Sequence, residues 1–194
     1  MPNWCDTEYK CIGSHEEVRS LYEILQRIGS RKEPQHPNGF GTLWLGELVT
    51  ELGFDWEKCR CRGEITGFEL DDGVLAIHQN TAWREQEGVR EAIEKKFPSI
   101  KVYYLEEEPG CGVYATNDLD GDFFPDNYFL DAYDDPMYFK TIEEAAKYVS
   151  SLVCREVEPN VSAIERALDD YTEIRAENDE DIFYCFHEYT RTAD

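Results

Sequence analysis

The chain has 194 residues, with 42 acidic side chains against 19 Lys or Arg, and so carries a formal net charge of −23 at pH 7. Nucleic-acid backbones and anionic membranes are bound through clustered Lys and Arg, so this charge argues against direct binding to either. The longest aliphatic run, Val74 to Ile77, is far too short to cross a bilayer. Aromatic residues make up 13% of the chain, which favours a folded protein with a sizeable core.

The seven cysteines indicate a reducing compartment. Their number is odd and no C-x-x-C pair is present. No basic segment followed by an apolar one opens the chain, so we expect a cytoplasmic protein with free thiols. Cys59 and Cys61 are predicted to share one face of a strand, but the second ligand pair of a structural zinc site is missing. We therefore predict neither a metal site nor a cofactor.

The first half of the chain predicts strands and helices in alternation. Apolar and polar residues alternate over 4–12, as in a half-buried strand, and Ser14 with Glu17 forms a capping box for the helix that follows. The predicted elements are a strand at 4–12, a helix from Ser14 to Gly29, a short helix from Leu45 to Leu52, strands near 59–69 and 73–79, a helix at 83–97, and a strand at 100–106. Apart from the short inserted helix, this order is βαββαβ, the ferredoxin-like arrangement, with both main helices on one face of the sheet.

The second half adds a hairpin and a further α+β segment. A tight turn at Glu108-Pro109-Gly110 leads into a strand at 111–116, which we expect to extend the same sheet from its fourth strand. The remaining predictions are a strand at about 127–133, a helix from Thr141 to Leu152, a helix opened by Ser162 and Glu165, and a terminal strand at 182–189. We predict one elaborated α+β domain over 1–194, with a ferredoxin-like core at 1–107 and an acidic, aromatic-rich extension at 108–194 packed on it.

Several short segments resemble one protein family. They are Met-Pro-Asn-Trp-Cys at 1–5, Lys-Phe-Pro-Ser-Ile at 96–100, the run from Tyr103 to Gly110, and Tyr-Ala-Thr-Asn-Asp at 114–118 with the following Gly121 and Phe124-Pro125. Together they resemble the YubB-like ferredoxin-like domain family, which includes proteins carried by plasmids, phage and gut bacteria. The resemblance covers most of residues 1–135. It implies a ferredoxin-like core and a link to mobile genetic elements, and it implies no established activity.

Residues 106–139 are strongly acidic and contain neither Lys nor Arg. The acidic residues are Glu106, Glu107, Glu108, Asp118, Asp120, Asp122, Asp126, Asp131, Asp134 and Asp135. One interpretation is a solvated face that keeps the protein soluble. The other is a negative surface that fits a basic partner, because aromatic residues of the kind that anchor interfaces lie between the acids.

We predict a non-enzymatic binding protein for a basic protein partner, engaged through residues 103–139. The predicted contact residues are Tyr104, Tyr114, Asp118, Asp120, Asp122, Asp126 and Tyr128. The alternative is a divalent-metal-dependent enzyme that uses the Asp cluster at 118–126, since hard cations prefer clustered carboxylates. EF-hand spacing is absent, because Gly121 is the fourth residue from Asp118 and not the sixth. A turn rich in Asp is the simpler interpretation.

Two further classes of function lack support in the sequence. RNA-recognition domains of the same element order need aromatic and basic residues on the third strand, and Gly73 to His78 contains no Phe, Tyr or Trp and no positive charge. Covalent catalysis needs a Cys or Ser beside a His. The four histidines, His15, His36, His78 and His187, belong to no recognised catalytic motif.

Overall fold

The computed structural model describes residues 3–132, 136–176 and 182–193. Predictions that involve Tyr133, Asp134 and Asp135 lie outside the described residues, as does most of the polar segment before the last predicted strand. The chain divides into two compact units, Met1–Asp118 with Thr192–Asp194, and Leu119–Arg191. Each unit combines helices with strands, so the α+β class is confirmed.

The first unit is built on antiparallel strands. In chain order its helices and strands are β1 (Trp4–Ile12), α1 (His15–Gly29), α2 (Leu45–Glu51), β2 (Gly63–Asp71), β3 (Val74–Ala82), α3 (Glu87–Lys96), β4 (Lys101–Glu108) and β5 (Val113–Thr116). These strands follow the order β2-β3-β1-β4-β5 across the sheet, and each neighbouring pair is antiparallel. The predicted extension after Pro109 is confirmed, because β5 pairs with β4.

Strand alternation gives this sheet two different faces. On β1, Cys5, Thr7, Tyr9 and Cys11 are buried, whereas the residues between them are partly or fully exposed. The buried side contacts α1, α2 and α3, and we call it the covered face; the opposite side is the open face. Its apolar core includes Tyr9, Leu21, Leu25, Leu48, Ile77, Ile93 and Val102.

The start of α1 is tied to the loop before β4. The Ser14 side chain accepts a hydrogen bond from the Glu17 N–H at 3.3 Å, as expected for an N-cap. The return contact of the predicted capping box is replaced, because the Glu17 carboxylate accepts from the Ser99 N–H at 2.8 Å. The Ser14 N–H in turn donates to Ser99 Oγ at 3.0 Å. The two residues that cap α1 therefore also make a long-range contact with the loop before β4.

Two predicted boundaries in the first unit are wrong. The strand expected from residue 59 begins at Gly63, because Trp56–Lys58 forms a 3-10 turn capped by Asp55. Cys59 and Cys61 therefore precede the strand. The helix expected from residue 83 begins at Glu87, since Trp83 adopts a left-handed backbone with φ of 74°.

The second unit packs two helices on a small sheet. Its elements are β6 (Tyr128–Ala132), β7 (Met137–Phe139), α4 (Ile142–Val153), α5 (Val161–Ala176), β8 (Tyr184–Glu188) and β9 (Thr190–Arg191). The small sheet consists of β6, β7 and β8, and β9 is not part of it. Strand β6 pairs antiparallel with β7 and β8, and Leu130, Val149 and Ile164 lie in the shared core. The capping box of Thr141 and Glu144 is confirmed. The predicted cap at Ser162 is wrong, because the Asn160 side chain accepts from the Ala163 N–H at 2.9 Å.

Among the described helices, none is both long and apolar enough to cross a membrane.

Candidate interaction surface

One row of carboxylates crosses the open face of the first unit. The register places Glu64 of β2 opposite Asn80 of β3, and Asn80 opposite Asp6 of β1. Asp6 in turn lies opposite Glu107 of β4. Neighbouring strands are about 4.8 Å apart, so these side chains stand in line across four strands. We call Asp6, Glu64 and Glu107 the acidic row; Asp6 is exposed and the other two are half-buried.

The lysines of the open face are engaged next to this row. Lys10 pairs with Glu8 at 2.5 Å, two residues along the same strand from Asp6. The Lys101 ammonium lies 4.4 Å from the centre of the Tyr103 ring, a cation–π contact. The open face is therefore acidic along the row and close to neutral beside it.

Strand β4 divides the predicted contact segment between the two faces. Tyr103 and Leu105 are half-buried on the open face with Glu107, and they give the acidic row an apolar border. Tyr104 and Glu106 turn to the covered face, where their exposed fractions are 5% and 0%. Alternate side chains of β4 are thus available to a partner, and the side chains between them belong to the core.

Three predicted contact residues are removed from the solvent surface by burial. Tyr104, Tyr114 and Asp118 are 5%, 4% and 1% exposed. The Arg90 guanidinium lies 5.3 Å from the centre of the Tyr104 ring, and the Tyr104 hydroxyl is 3.1 Å from Thr192 Oγ1. All three side chains are buried, which corrects the expectation of an exposed contact at these positions.

The other four predicted residues belong to the second unit. Asp120 and Asp122 are exposed, and Asp126 and Tyr128 are half-buried. The Tyr128 ring stacks on Phe186, with ring centres 5.6 Å apart and planes 7° from parallel. Burial, with help from nearby carboxylates, raises the pKa of Tyr128, so its hydroxyl stays protonated at neutral pH.

The loop that carries these aspartates is held by Arg191, through a backbone carbonyl and an asparagine side chain. The Arg191 guanidinium donates to the Phe124 carbonyl and to Asn127 Oδ1, both at 2.9 Å. Within residues 3–132, 136–176 and 182–193, no three His, Cys, Asp or Glu side chains are grouped so that they could share a metal ion. The structure does not bring the Asp cluster of the enzyme alternative together.

A buried polar cluster lies at one end of the covered face, and sequence reasoning missed it. The Tyr9 hydroxyl donates to Glu85 Oε1 at 2.6 Å, and Arg90 Nε donates to the same oxygen at 3.3 Å. Glu106 accepts the Glu85 N–H at 2.6 Å and a guanidinium N–H of Arg84 at 3.3 Å.

Burial sets the protonation of this cluster. It raises the pKa of Glu85, although Tyr9 and Arg90 act in the opposite direction, and it raises that of Tyr9 well above its usual range. Tyr9 therefore keeps its proton and remains a donor. Tyr9, Glu85, Arg90 and Glu106 are buried, so these four side chains join β1, β4 and the start of α3 and are not available to a ligand in solution. The Arg84 side chain of the cluster is exposed.

The chain was compared with protein-family models, with curated proteins and with solved structures, and none of them matches it. The resemblance to the YubB-like family therefore stays a prediction.

Proposed function

We propose that this is a non-enzymatic, cytoplasmic binding protein whose open face receives a basic surface of another protein. The acidic row carries the proposal. Like charges directly opposite each other in a sheet are unfavourable in the free protein. Positive side chains of a partner would remove that repulsion, so binding would relieve an unfavourable interaction of the free protein. The element order and the strand order β2-β3-β1-β4 support a ferredoxin-like core, in which this face has no helix over it.

The net charge of −23 supports a basic partner at longer range. A dense negative field speeds the encounter with a positive surface and makes binding depend on salt. The screening length falls from about 10 Å at 0.1 M salt to about 3 Å at 1 M. Tyr103 and Leu105 at the border of the row supply the apolar contact that an interface core needs.

Three variants of equal net charge test where the partner binds. Asp6→Asn with Glu64→Gln and Glu107→Gln neutralises the acidic row, and Asp120→Asn with Asp122→Asn and Asp126→Asn neutralises the loop of the second unit. Glu23→Gln with Glu33→Gln and Glu173→Gln is the matched control on exposed positions elsewhere. Each full-length protein is used to capture partners from host lysate at 0.1 M and 1 M salt, and captured proteins are identified by mass spectrometry.

The expected result is a basic protein that is retained at low salt by wild type and by the control, and lost from the acidic-row variant. Its affinity is then measured with purified partner by fluorescence anisotropy. If only the loop variant loses the partner, the contact lies in the second unit. If all three variants lose it equally, binding depends on net charge alone and the proposed surface is wrong.

A further inference from the structure

Two cysteine side chains meet just before β2. Each thiol donates to a backbone carbonyl, Cys59 to that of Arg60 at 3.8 Å and Cys61 to that of Trp56 at 3.7 Å. The two side chains are close enough to shift each other's pKa. A chain advances by at most about 3.6 Å per residue, so their Cα atoms are no more than about 7 Å apart. Disulfides span roughly 4.4–6.8 Å between Cα atoms, so the spacing of this pair in the chain allows a bridge.

Both thiols line one open cleft of about 480 Å³. Trp44 and Trp56 form part of its wall, with ring centres 4.9 Å apart. Arg60 and Arg62 are exposed on its rim, and neither guanidinium makes an ion pair within the part of the chain that the structure describes. Cys61 is 6% exposed, whereas Cys59 is half-buried and reachable from solvent. The two thiols therefore differ in access, as an attacking and a resolving thiol do.

The surroundings of Cys59 favour its thiolate. The first turn of α3 packs against it: a Cβ added to Gly88 would lie 2.8 Å from Cys59 Sγ. The positive end of a helix dipole stabilises an anion at this position. The neighbouring Cys61 side chain lowers the pKa of Cys59, and the Lys95 ammonium acts in the same direction. Burial and the Glu91 carboxylate oppose them, and the net shift is downward.

Other cysteines of the chain are shifted in the opposite direction. Burial raises the pKa of Cys5 to about 11 and that of Cys11 still further. The carboxylate of Glu108 raises the pKa of Cys111, and burial raises that of Cys185. Exposure alone would select Cys111, Cys154 or Cys185 for reaction, whereas the neighbouring second thiol and the arginines of the cleft select Cys59.

We propose that Cys59 and Cys61 form a thiol–disulfide exchange site for small disulfides that carry carboxylate groups. The Cys59 thiolate attacks one sulfur of the small disulfide, whose S–S bond breaks and releases one thiolate, which takes a proton from water. The Cys61 thiol then gives its proton to water and attacks Cys59 Sγ, and the second small thiolate leaves and is protonated. The two cysteines are oxidised to a disulfide, and one small disulfide is reduced to two thiols. Arg60 and Arg62 bind the carboxylates.

The test uses the full-length reduced protein with glutathione disulfide as the anionic probe and hydroxyethyl disulfide as the uncharged probe. Intact mass and peptide mapping follow the products. Wild type is expected to lose two hydrogens at the Cys59–Cys61 peptide. Cys61→Ser is expected to keep one glutathione on Cys59, and Cys59→Ser to leave Cys61 unmodified. At pH 7 Cys59 should react at least about tenfold faster than Cys111 or Cys185.

Recognition by the arginines is tested separately. Arg60→Gln with Arg62→Gln should slow the reaction with glutathione disulfide several-fold and leave that with hydroxyethyl disulfide unchanged; Arg19→Gln, far from the cleft in sequence, is the control. Equal slowing with both probes would show that the arginines do not bind the carboxylates. If Cys111, Cys154 or Cys185 reacts first, or if Cys61→Ser gains no adduct, the exchange site does not exist. Circular dichroism confirms that each variant is folded.

Discussion

Asp6 of β1 lies directly opposite Glu107 of β4 on the open face, in the same register that pairs Tyr9 with Tyr104 on the covered face. The buried tyrosine pair belongs to the core and fixes the register. The two carboxylates must then accept the positions that this register gives them. The acidic row is thus held in place by packing on the other side of the sheet. The stability that this packing provides exceeds the repulsion between the carboxylates.

Neutralising one member of this pair should stabilise the free protein. Asp6→Asn removes the repulsion with Glu107 and is expected to raise the free energy of unfolding by about 0.5 kcal/mol at pH 7 and low salt. Urea unfolding measures the change, and 1 M salt should reduce it. Glu33→Gln, an exposed loop acid, should leave stability unchanged. A loss of stability in Asp6→Asn would show that the two carboxylates do not repel each other.

Truncating the two adjacent glutamates of β4 should change the free energy of unfolding by very different amounts. Glu106→Ala leaves the buried Glu85 N–H without its acceptor and is expected to cost about 2 kcal/mol. Glu107→Ala, on the open face, should change stability by less than about 0.5 kcal/mol. Chemical denaturation of both variants under one set of conditions compares them. Equal effects would contradict the division of β4 between the two faces.

The burial of Glu106 could be predicted from the sequence. Val102, Tyr104 and Glu106 are alternate residues of the strand predicted at 100–106, so alternation places all three on one face. We expected a solvated acid, because carboxylates are rarely buried without partners. The partners, Arg84 and the Glu85 N–H, come from a loop whose course depends on the left-handed Trp83. Nothing local in the sequence indicates that conformation.

The acidic row could not be predicted for a different reason. Element order and strand periodicity show which residues of β1 and β4 share a face, but the row also needs the register of β2. A bulge between Ile65 and Gly67 shifts that register by one residue. The meeting of Cys59 and Cys61 likewise depends on the 3-10 turn before them. Small irregularities of this kind determine which side chains of the sites come together, whereas hydrophobic patterns determine where helices and strands form.

The ion pairs between α1 and α2 should make stability depend on acid pH. Glu51 accepts hydrogen bonds from Arg31 and from Arg27, the latter at 2.7 Å. Burial raises the pKa of Glu51, but the two arginines outweigh it, and the pKa lies below its ordinary value. A carboxylate with a lowered pKa adds stability above its unfolded pKa of about 4.3, and this is lost as pH falls through the folded pKa.

Glu51→Gln is therefore expected to cost about 1 kcal/mol at pH 7. The difference from wild type should shrink as the pH falls from about 5 towards 3. Urea midpoints at a series of pH values measure it, with Glu33→Gln as an exposed control that shows no such trend. A difference that stays constant with pH would mean that the charge of Glu51 adds nothing to the fold.

Gly63 should be the glycine of β2 that tolerates no side chain. A Cβ at this position would lie 2.3 Å from the Asn80 carbonyl oxygen and 2.9 Å from Thr81 Cα, and both are backbone atoms of β3 that cannot turn away. Gly63→Ala must push β2 from β3 at their first pair, and we expect it to cost about 3 kcal/mol. Gly39→Ala, where an added Cβ meets nothing within 4 Å, should change the free energy of unfolding by less than about 0.5 kcal/mol. Urea unfolding followed by tryptophan fluorescence compares the two variants with wild type. If both unfold at the same urea concentration, β2 and β3 do not approach each other so closely at Gly63, and the position of Glu64 in the acidic row would have to be revised.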